Sequence, residues 1–531
     1  MRQSHSVYAI VADIVFFQKE AYVTHHTAGQ RNLTLAKEWI RQCLEHHSEC
    51  YKPRADASFP SRLIDVGSEP GKLEPRLVLT ANITSAAPPR YTTPSHCWGK
   101  LDIQAHAAMT TTRDTLKSRL EEIPLAGLPR SFQDAIKATR DLGIPYVWID
   151  SLYIIQTGWG RADAEAGEDW IRESSKMGAI YRNSECCLIA TASPDAHGGF
   201  FVEKVQLPPV VLNHEDYEPL GIGDPPQSSR SPSWNCGFTS EKTFVATLDA
   251  MANSGTVSKR GWCLQERYLS PRALYFTKHG LVWECHAVVN FDQPLRSGDR
   301  PNLQQALERE GEAKFFGRAL DRWDAIMADF SSRALTQASD RLPAVAGLAQ
   351  EVAHATGATY LAGLWDHNVL RWLCWNVDED WLSGAGGSAS ASARPEDYYA
   401  PSWSWGCLHG TPVKFPSTLK SIKSEDFAAK VEAVNILPGR FEYGPPRAGS
   451  IVLTGPFRRI SVHWEDEILW VDGANGRAEE VGSLVLDRLD EIPRHGKHTL
   501  HTICLWSFQD IAGGGLALKE VAGATAFRRV G

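Results

Sequence analysis

Glu173 is the residue whose position most invites chemistry. At about 100° per residue, Trp170, Met177, Ile180 and Tyr181 share one helical face, and Glu173 falls inside it. A carboxylate among apolar neighbours must be paired, hydrogen-bonded or shifted in pKa, because burying a bare charge is costly. Such groups are candidates for functional sites. In a low-dielectric site a carboxylate can stabilise positive charge developing at an anomeric carbon. The plain alternative is an ion pair with an Arg or Lys at the core's edge, or a Glu at the stripe's border that reaches water. Asp150 and Ser151 form a second candidate, at the end of the apolar run Tyr146-Val-Trp-Ile149. Ligands of open parallel sheets bind beyond the carboxyl ends of strands, where an Asp can contact ribose hydroxyls. The same Asp could instead cap local backbone amides in a turn.

Other reactive residue types are weaker candidates. His96 and Cys97 suggest a cysteine nucleophile, yet adjacent residues of a strand point to opposite faces and cannot pair there. Cys97 and Trp98 then read as packing residues, and Gly99 as part of a turn. Cys43, His47 and Cys50 lie at i, i+4 and i+7 of a helical pattern and could present three metal ligands. A structural zinc site has four, and no fourth partner follows nearby. Packing is the favoured reading, and no metal site is expected. Cys186 and Cys187 lie within a strand pattern. Arg260, Trp262, Gln265, Glu266 and Arg267 cluster on a short helix. Arg260 or Arg267 could bind a phosphate, or pair with Glu173 or Asp150. Alternatively, Glu266 forms a helix-end network with Arg267 or Arg272. Gly221-Ile-Gly-Asp-Pro-Pro226 lacks the third Gly of a dinucleotide fingerprint, and no Walker A loop, His-Glu-x-x-His or Gly-x-Ser-x-Gly is present.

The elements that must hold these groups read as α/β. A helix is expected over Leu33–His47, with short strands at Arg62–Val66 and Arg76–Thr80. Ser131 can cap a helix over Phe132–Leu142 that Gly143 ends. The buried run Tyr146–Ile149, a helix over Ala164–Tyr181 and the strand Cys186–Thr191 continue the alternation that marks a parallel sheet. Asp150 should sit at a strand's carboxyl end, in the same sheet domain as Glu173. Ala273–Thr277 and Leu281–Cys285 make a hairpin across Lys278-His-Gly280. Helices follow near 304–330 and 341–355. Beyond Tyr398 the segments are short and β-like, including Ser450–Thr454, Ile468–Val471 and Leu500–Trp506.

Four of these segments, in order and spacing, resemble the fungal heterokaryon incompatibility (HET) domain family. They are Tyr91-Thr-Thr-Pro-Ser95-His96-Cys97-Trp98-Gly99, Leu142-Gly-Ile-Pro-Tyr-Val-Trp148-Ile-Asp150-Ser151-Leu-Tyr-Ile-Ile-Gln156, Asp169-Trp-Ile-Arg-Glu-Ser-Ser-Lys-Met-Gly-Ala-Ile-Tyr181, and Arg260-Gly-Trp-Cys-Leu-Gln-Glu-Arg267. The resemblance extends to flanks such as Trp39-Ile-Arg-Gln-Cys43, Arg62-Leu-Ile-Asp-Val66 and Ala400-Pro-Ser-Trp-Ser-Trp405. Three positions depart from the family pattern: Pro94 stands for a Leu, Tyr153 for a Cys and Thr157 for an Asp. The resemblance implies a TIR/flavodoxin-like parallel sheet and a role in non-self recognition and programmed cell death. It also implies NAD as a candidate substrate, cleaved with Glu173 as the catalytic carboxylate and with Asp150, Ser151, Trp170, Arg260 and Arg267 as ligand contacts. A non-catalytic adaptor acting through a homo-oligomer or protein partner is the competing implication. No cofactor is assigned.

The expected division is an N-terminal segment, 1–90; the HET domain, 91–270, with a loop insertion at 214–240; and a hairpin and helical region, 271–382. A Gly/Ser/Ala-rich linker, 383–397, then leads to a smaller β-rich region, 398–531. The 531 residues, 43% hydrophobic and 22% charged, have the composition of a globular chain. A formal charge of −8 without a Lys/Arg block argues against nucleic acid as a partner. Eleven scattered Cys suggest reduced thiols. The N-terminal apolar stretch Val7–Phe17, broken by Asp13, is too short to span a bilayer. A cytoplasmic protein without a membrane span is expected.

Overall fold

The structure is a computed structural model. It describes residues 14–17, 26–48, 50–51, 58–67, 74–85, 87–99, 102–156, 164–205, 235–238, 253–291, 312–378, 398–416, 419, 426–465, 468–472, 478–479, 498–508, 512–520 and 527–529. The expected linker 383–397 lies outside the described residues, as do most of the insertion 214–240 and most of the first 30 positions. The chain divides into two compact units: 1–258 with 266–315, and 259–265 with 316–531.

The first unit is built on a mixed eight-stranded sheet. Its labelled elements are α1 (Gln30–His46), β1 (Arg62–Asp65), β2 (Arg76–Leu79), β3 (Tyr91–Ser95), α2 (Arg130–Asp141), β4 (Tyr146–Val147), α3 (Asp150–Tyr153), α4 (Ala164–Ser174), α5 (Met177–Asn183), β5 (Cys186–Ile189), α6 (Trp262–Leu269), β6 (Arg272–Thr277), β7 (Gly280–Cys285) and β8 (Val289–Phe291). Helix α6 begins in residues of the second unit and ends in the first. The strand order is β8-β7-β6-β5-β3-β4-β1-β2. β3 is parallel to both β4 and β5, and β5 to β6. The remaining neighbours run antiparallel. The expected parallel strands β4 and β5 therefore run the same way in one sheet, with β3 between them. Taken in chain order, the four parallel strands stand 2-1-3-4 across the sheet.

The apolar runs explain this centre. Every residue of β5 is buried, as in a strand covered on both faces. On α1, Leu33, Ala36, Trp39, Ile40 and Cys43 recur at helical spacing and are buried. They join a core with Leu188, Leu274, Phe276 and Trp283. A second core gathers Ile64, Phe132, Ile136, Val147 and Ile149. The buried hydroxyl pair Thr92–Thr139, at 2.6 Å, ties β3 to α2.

Three local expectations need correction. Helix α2 starts at Arg130 with Pro129 as N-cap, so Ser131 lies inside the first turn. Its N–H donates to the Ala196 carbonyl at 2.9 Å, and the helix has no side-chain cap. The helix over Ala164–Tyr181 is two helices, because the Lys176 N–H bonds back to the Glu173 carbonyl, a three-residue turn that breaks the α pattern. Helix α1 ends at His46, and His47 is extended.

The second unit contains helices Glu312–Ser332 and Pro343–Thr356 and a six-stranded antiparallel sheet beyond Phe457. Ala448–Thr454, Ile468–Asp472 and His498–Phe508 are strands. Trp323 and Trp405 each donate an indole N–H to the Gly363 carbonyl at 3.0 Å. No helix among the described residues is long and apolar enough to cross a membrane.

Candidate functional site

Helix α4 presents two carboxylates one turn apart, Asp169 and Glu173, and both are buried. Glu173 is fully buried, and both its oxygens are engaged. Ser61 Oγ donates to it at 2.8 Å, Arg172 Nε at 3.0 Å, and Lys176 Nζ at 3.2 and 3.3 Å to the two oxygens. Lys176 Nζ also donates to Ser61 Oγ at 3.1 Å. One turn earlier, Asp169 Oδ2 accepts from Arg62 Nη2 at 2.6 Å and from the Ile155 amide at 2.8 Å, and Asp169 Oδ1 pairs with Arg172. Arg62 on β1 donates through Nε to the Tyr153 carbonyl at 2.8 Å and lies 5.2 Å from the Tyr153 ring centroid. The result is a closed network of three cations and two carboxylates that joins α4 to β1. It can hold α4 against the sheet. The anions it holds already have donors.

The carboxyl ends of the parallel strands form the second cluster. Asp150 is the first residue of α3, just past β4, and its Oδ1 accepts the Ser151 amide at 2.7 Å. Ser151 beside it is fully buried, and its hydroxyl has no hydrogen-bond partner among the described residues. The same holds for the hydroxyls of Ser95, at the end of β3, and Thr191, just past β5. His96 packs edge-on against Phe132 at 5.1 Å. Cys97 is buried and Trp98 packs against the second core. Gly99 has φ +78°, and a Cβ there would sit 2.6 Å from Asp195 Cβ. Trp148 is fully buried between Tyr153 at 5.4 Å and Tyr181 at 5.5 Å. Tyr153, at the position where the family pattern has Cys, also accepts the Ser61 amide at 3.1 Å. Thr157 lies outside the described residues.

A model of the family described as Heterokaryon incompatibility protein (HET) matches residues 91–266. Residues 91–266 are a HET domain. Comparison with curated proteins and comparison with solved structures each find no match.

Within the HET domain the candidates fall into separate groups. Trp170 is half-buried on α4 beside the network. Arg260 forms a backbone bridge with Ala334. Trp262 donates its indole N–H to Asp340 at 3.0 Å, and Gln265 is buried on the same helix, α6. Glu266 is also buried, and its carbonyl accepts the Ser270 hydroxyl. Just past the domain's end, Arg267 pairs with Glu284 at 3.3 Å and Asn253 at 2.8 Å. The cations at Glu173 are therefore Arg172 and Lys176 rather than Arg260 or Arg267. Burial pushes the Cys187 thiol up to about 12, which leaves it protonated and unreactive.

Sequence reading missed Arg62, Ser61, Asp169 and Lys176 as partners. Asp169 and Lys176 were available as i−4 and i+3 neighbours of Glu173. Arg62, the first residue of β1, and Ser61 just before it lie more than a hundred positions away. Cys43, His47 and Cys50 converge in space with Cys285, so a fourth potential ligand does exist.

Proposed function

We propose that this protein serves in a fungal incompatibility response, linking non-self recognition to regulated cell death. In this reading it is a cytoplasmic signalling module that acts through oligomerisation or a protein partner. The HET domain supports the biological setting. The single observation that favours a non-catalytic module is the condition of Glu173. It is fully buried, and Ser61, Arg172 and Lys176 already supply what a carboxylate seeks.

NAD cleavage by a TIR-like domain is the second reading, and two observations favour it. The parallel strand order 2-1-3-4 follows the flavodoxin-like scheme, whose ligands bind at the carboxyl edge near the switch point. At that edge stand the buried hydroxyls of Ser95, Ser151 and Thr191, which have no hydrogen-bond partner among the described residues. Incubating the purified full-length protein with NAD and quantifying free nicotinamide separates the readings. The adaptor reading expects release no faster than in protein-free buffer. Release that Glu173→Gln abolishes would establish the enzyme instead.

A further inference from the structure

The C-terminal end of α1 and the far end of the β6–β7 hairpin bring four metal-ligating side chains together. Cys43, His47, Cys50 and Cys285 each offer one ligand atom, and all four atoms lie within 4.8 Å of one another. Chain geometry explains the convergence. Helix α1 stops at His46, and the Cys50 amide turns back to the His47 carbonyl at 3.4 Å. That turn brings Cys50 round beside Cys43. Trp39 on α1 packs against Trp283 on β7 with ring centroids 6.3 Å apart, which sets the helix over the strand that ends in Cys285.

We propose that these four residues form a structural zinc site of Cys3His type. Zinc–sulfur bonds of about 2.3 Å and zinc–nitrogen bonds of about 2.0–2.1 Å give a tetrahedron with edges of about 3.8 Å between sulfurs and about 3.5 Å between sulfur and nitrogen. Cys285 Sγ and His47 Nδ1 stand 3.5 Å apart. Three soft thiolates with one imidazole in this arrangement select zinc among the common divalent metals. Four protein ligands leave no open position for water or substrate, so the role is structural.

The surroundings are those of bound thiolates. The Val288 amide donates to Cys285 Sγ at 3.3 Å, and the Ala287 amide faces the Cys50 sulfur. Arg272 is fully buried, and no carboxylate among the described residues pairs with it. Its Nη1 reaches Cys43 Sγ at 3.7 Å and the Tyr51 carbonyl at 3.1 Å, while Nε donates to the Glu185 carbonyl. Zinc with three thiolates carries a net charge of −1, and the Arg272 guanidinium supplies the matching +1. Each thiol releases its proton as the metal binds, so the site is stable only while the thiols can stay deprotonated. Its consequence is mechanical. It fastens α1 to β7 between residues 238 positions apart, His47 and Cys285.

The test uses the full chain purified in reducing, chelator-free buffer. Elemental analysis should find about one zinc per chain. Cys285→Ser should lose it, while Cys374→Ser, in the other unit, should keep it. Should Cys285→Ser fail to fold, the wild-type protein decides alone. After chelation, added cobalt should give thiolate-to-metal charge transfer and the intense ligand-field bands of a tetrahedral site. A wild type without zinc and without that cobalt spectrum overturns the proposal. So does a folded Cys285→Ser that retains full zinc, or a native disulfide between any two of the three cysteines.

Discussion

Replacing Glu173 by Gln separates a carboxylate that holds the fold from one that does chemistry. Three donors converge on the native side chain: Ser61 Oγ at 2.8 Å, Arg172 Nε at 3.0 Å and Lys176 Nζ at 3.2 Å. An amide keeps one acceptor oxygen and turns two N–H donors toward groups that are themselves donors. A hydrogen bond to a charged group contributes about 1.5–3 kcal/mol. The side chains of Arg172 and Lys176 are 56% and 29% exposed, so both can turn to water and recover part of that loss. The net cost should therefore be about 2 kcal/mol, less than the about 3–5 kcal/mol of breaking a fully buried pair. In the unit that holds Glu173, 1–258 with 266–315, an unfolding entropy of about 2.1 cal/mol/K per residue means that each kcal/mol shifts the melting point by roughly 1.5 °C, so Glu173→Gln should melt about 3 °C lower. Thermal melts followed by circular dichroism, with urea midpoints at unchanged slope, measure this directly. A variant melting within about 1 °C of wild type would refute the reasoning, because the network would then be holding nothing.

Asp169→Asn strikes a deeper part of the same network. The Arg62 and Asp169 side chains are 9% and 4% exposed, so the pair cannot turn to water, and the loss should be about 3–5 kcal/mol by urea denaturation. Joint replacement as Arg62→Met with Asp169→Leu should recover part of it, and a double variant no better than Asp169→Asn would count against the buried-charge account. A third expectation concerns pH. Burial raises the Asp134 carboxyl above its ordinary 3.8, against the lowering effects of the Phe201 and Phe200 amides, Arg130 and Lys137. The folded state thus binds the proton more tightly than the unfolded chain. The contribution is full below the ordinary value and is lost as pH rises through the raised one. Relative to wild type, Asp134→Asn should gain stability from about pH 3 upward and then level off, and a constant offset across that range would show that Asp134 is not responsible.

The parts of the fold legible in the sequence are those whose signal is local. The buried runs Val147–Ile149 and Cys186–Ile189, the amphipathic α2 and the hairpin through Gly280, with φ +143°, all follow from spacing within a few residues. Glu173 is buried as its pattern implied, but the turn at Lys176 breaks the one helix on which that pattern set it beside Met177, Ile180 and Tyr181. What sits beside each element was not legible. Nothing in the sequence places β3 between β4 and β5, or adds β1 and β2 antiparallel beyond β4, because a strand's hydrophobicity says that it is covered without saying by what. Ser61 and Cys285 were missed likewise. A hydrogen bond or a shared ligand across a long loop leaves no periodic trace, and the cost of closing such a loop rises only slowly with its length. Ser131 is not the cap because the helix already begins at Arg130, which puts Ser131 inside its first turn, where its amide donates to the Ala196 carbonyl.

This non-locality bears on what the HET segment can do alone. Residues 91–266 contribute β3, β4 and β5 to the sheet, three of its eight strands. β4 hydrogen-bonds β1 on one side, and β5 hydrogen-bonds β6 on the other, and both neighbours lie outside the segment. Excised, it would present two open edges of buried, apolar strand, the arrangement most prone to aggregation. Its buried carboxylates would suffer as well, since Glu173 would lose Ser61 and Asp169 would lose Arg62. Asp169 would keep the half-exposed Arg172 and the Ile155 amide but lose its one buried cation, so part of the desolvation cost of its charge would go uncompensated. The stretch that defines the family is therefore the centre of a folding unit rather than the unit itself. α1, β1 and the β6–β7 hairpin belong to the same structural argument as the motifs they enclose.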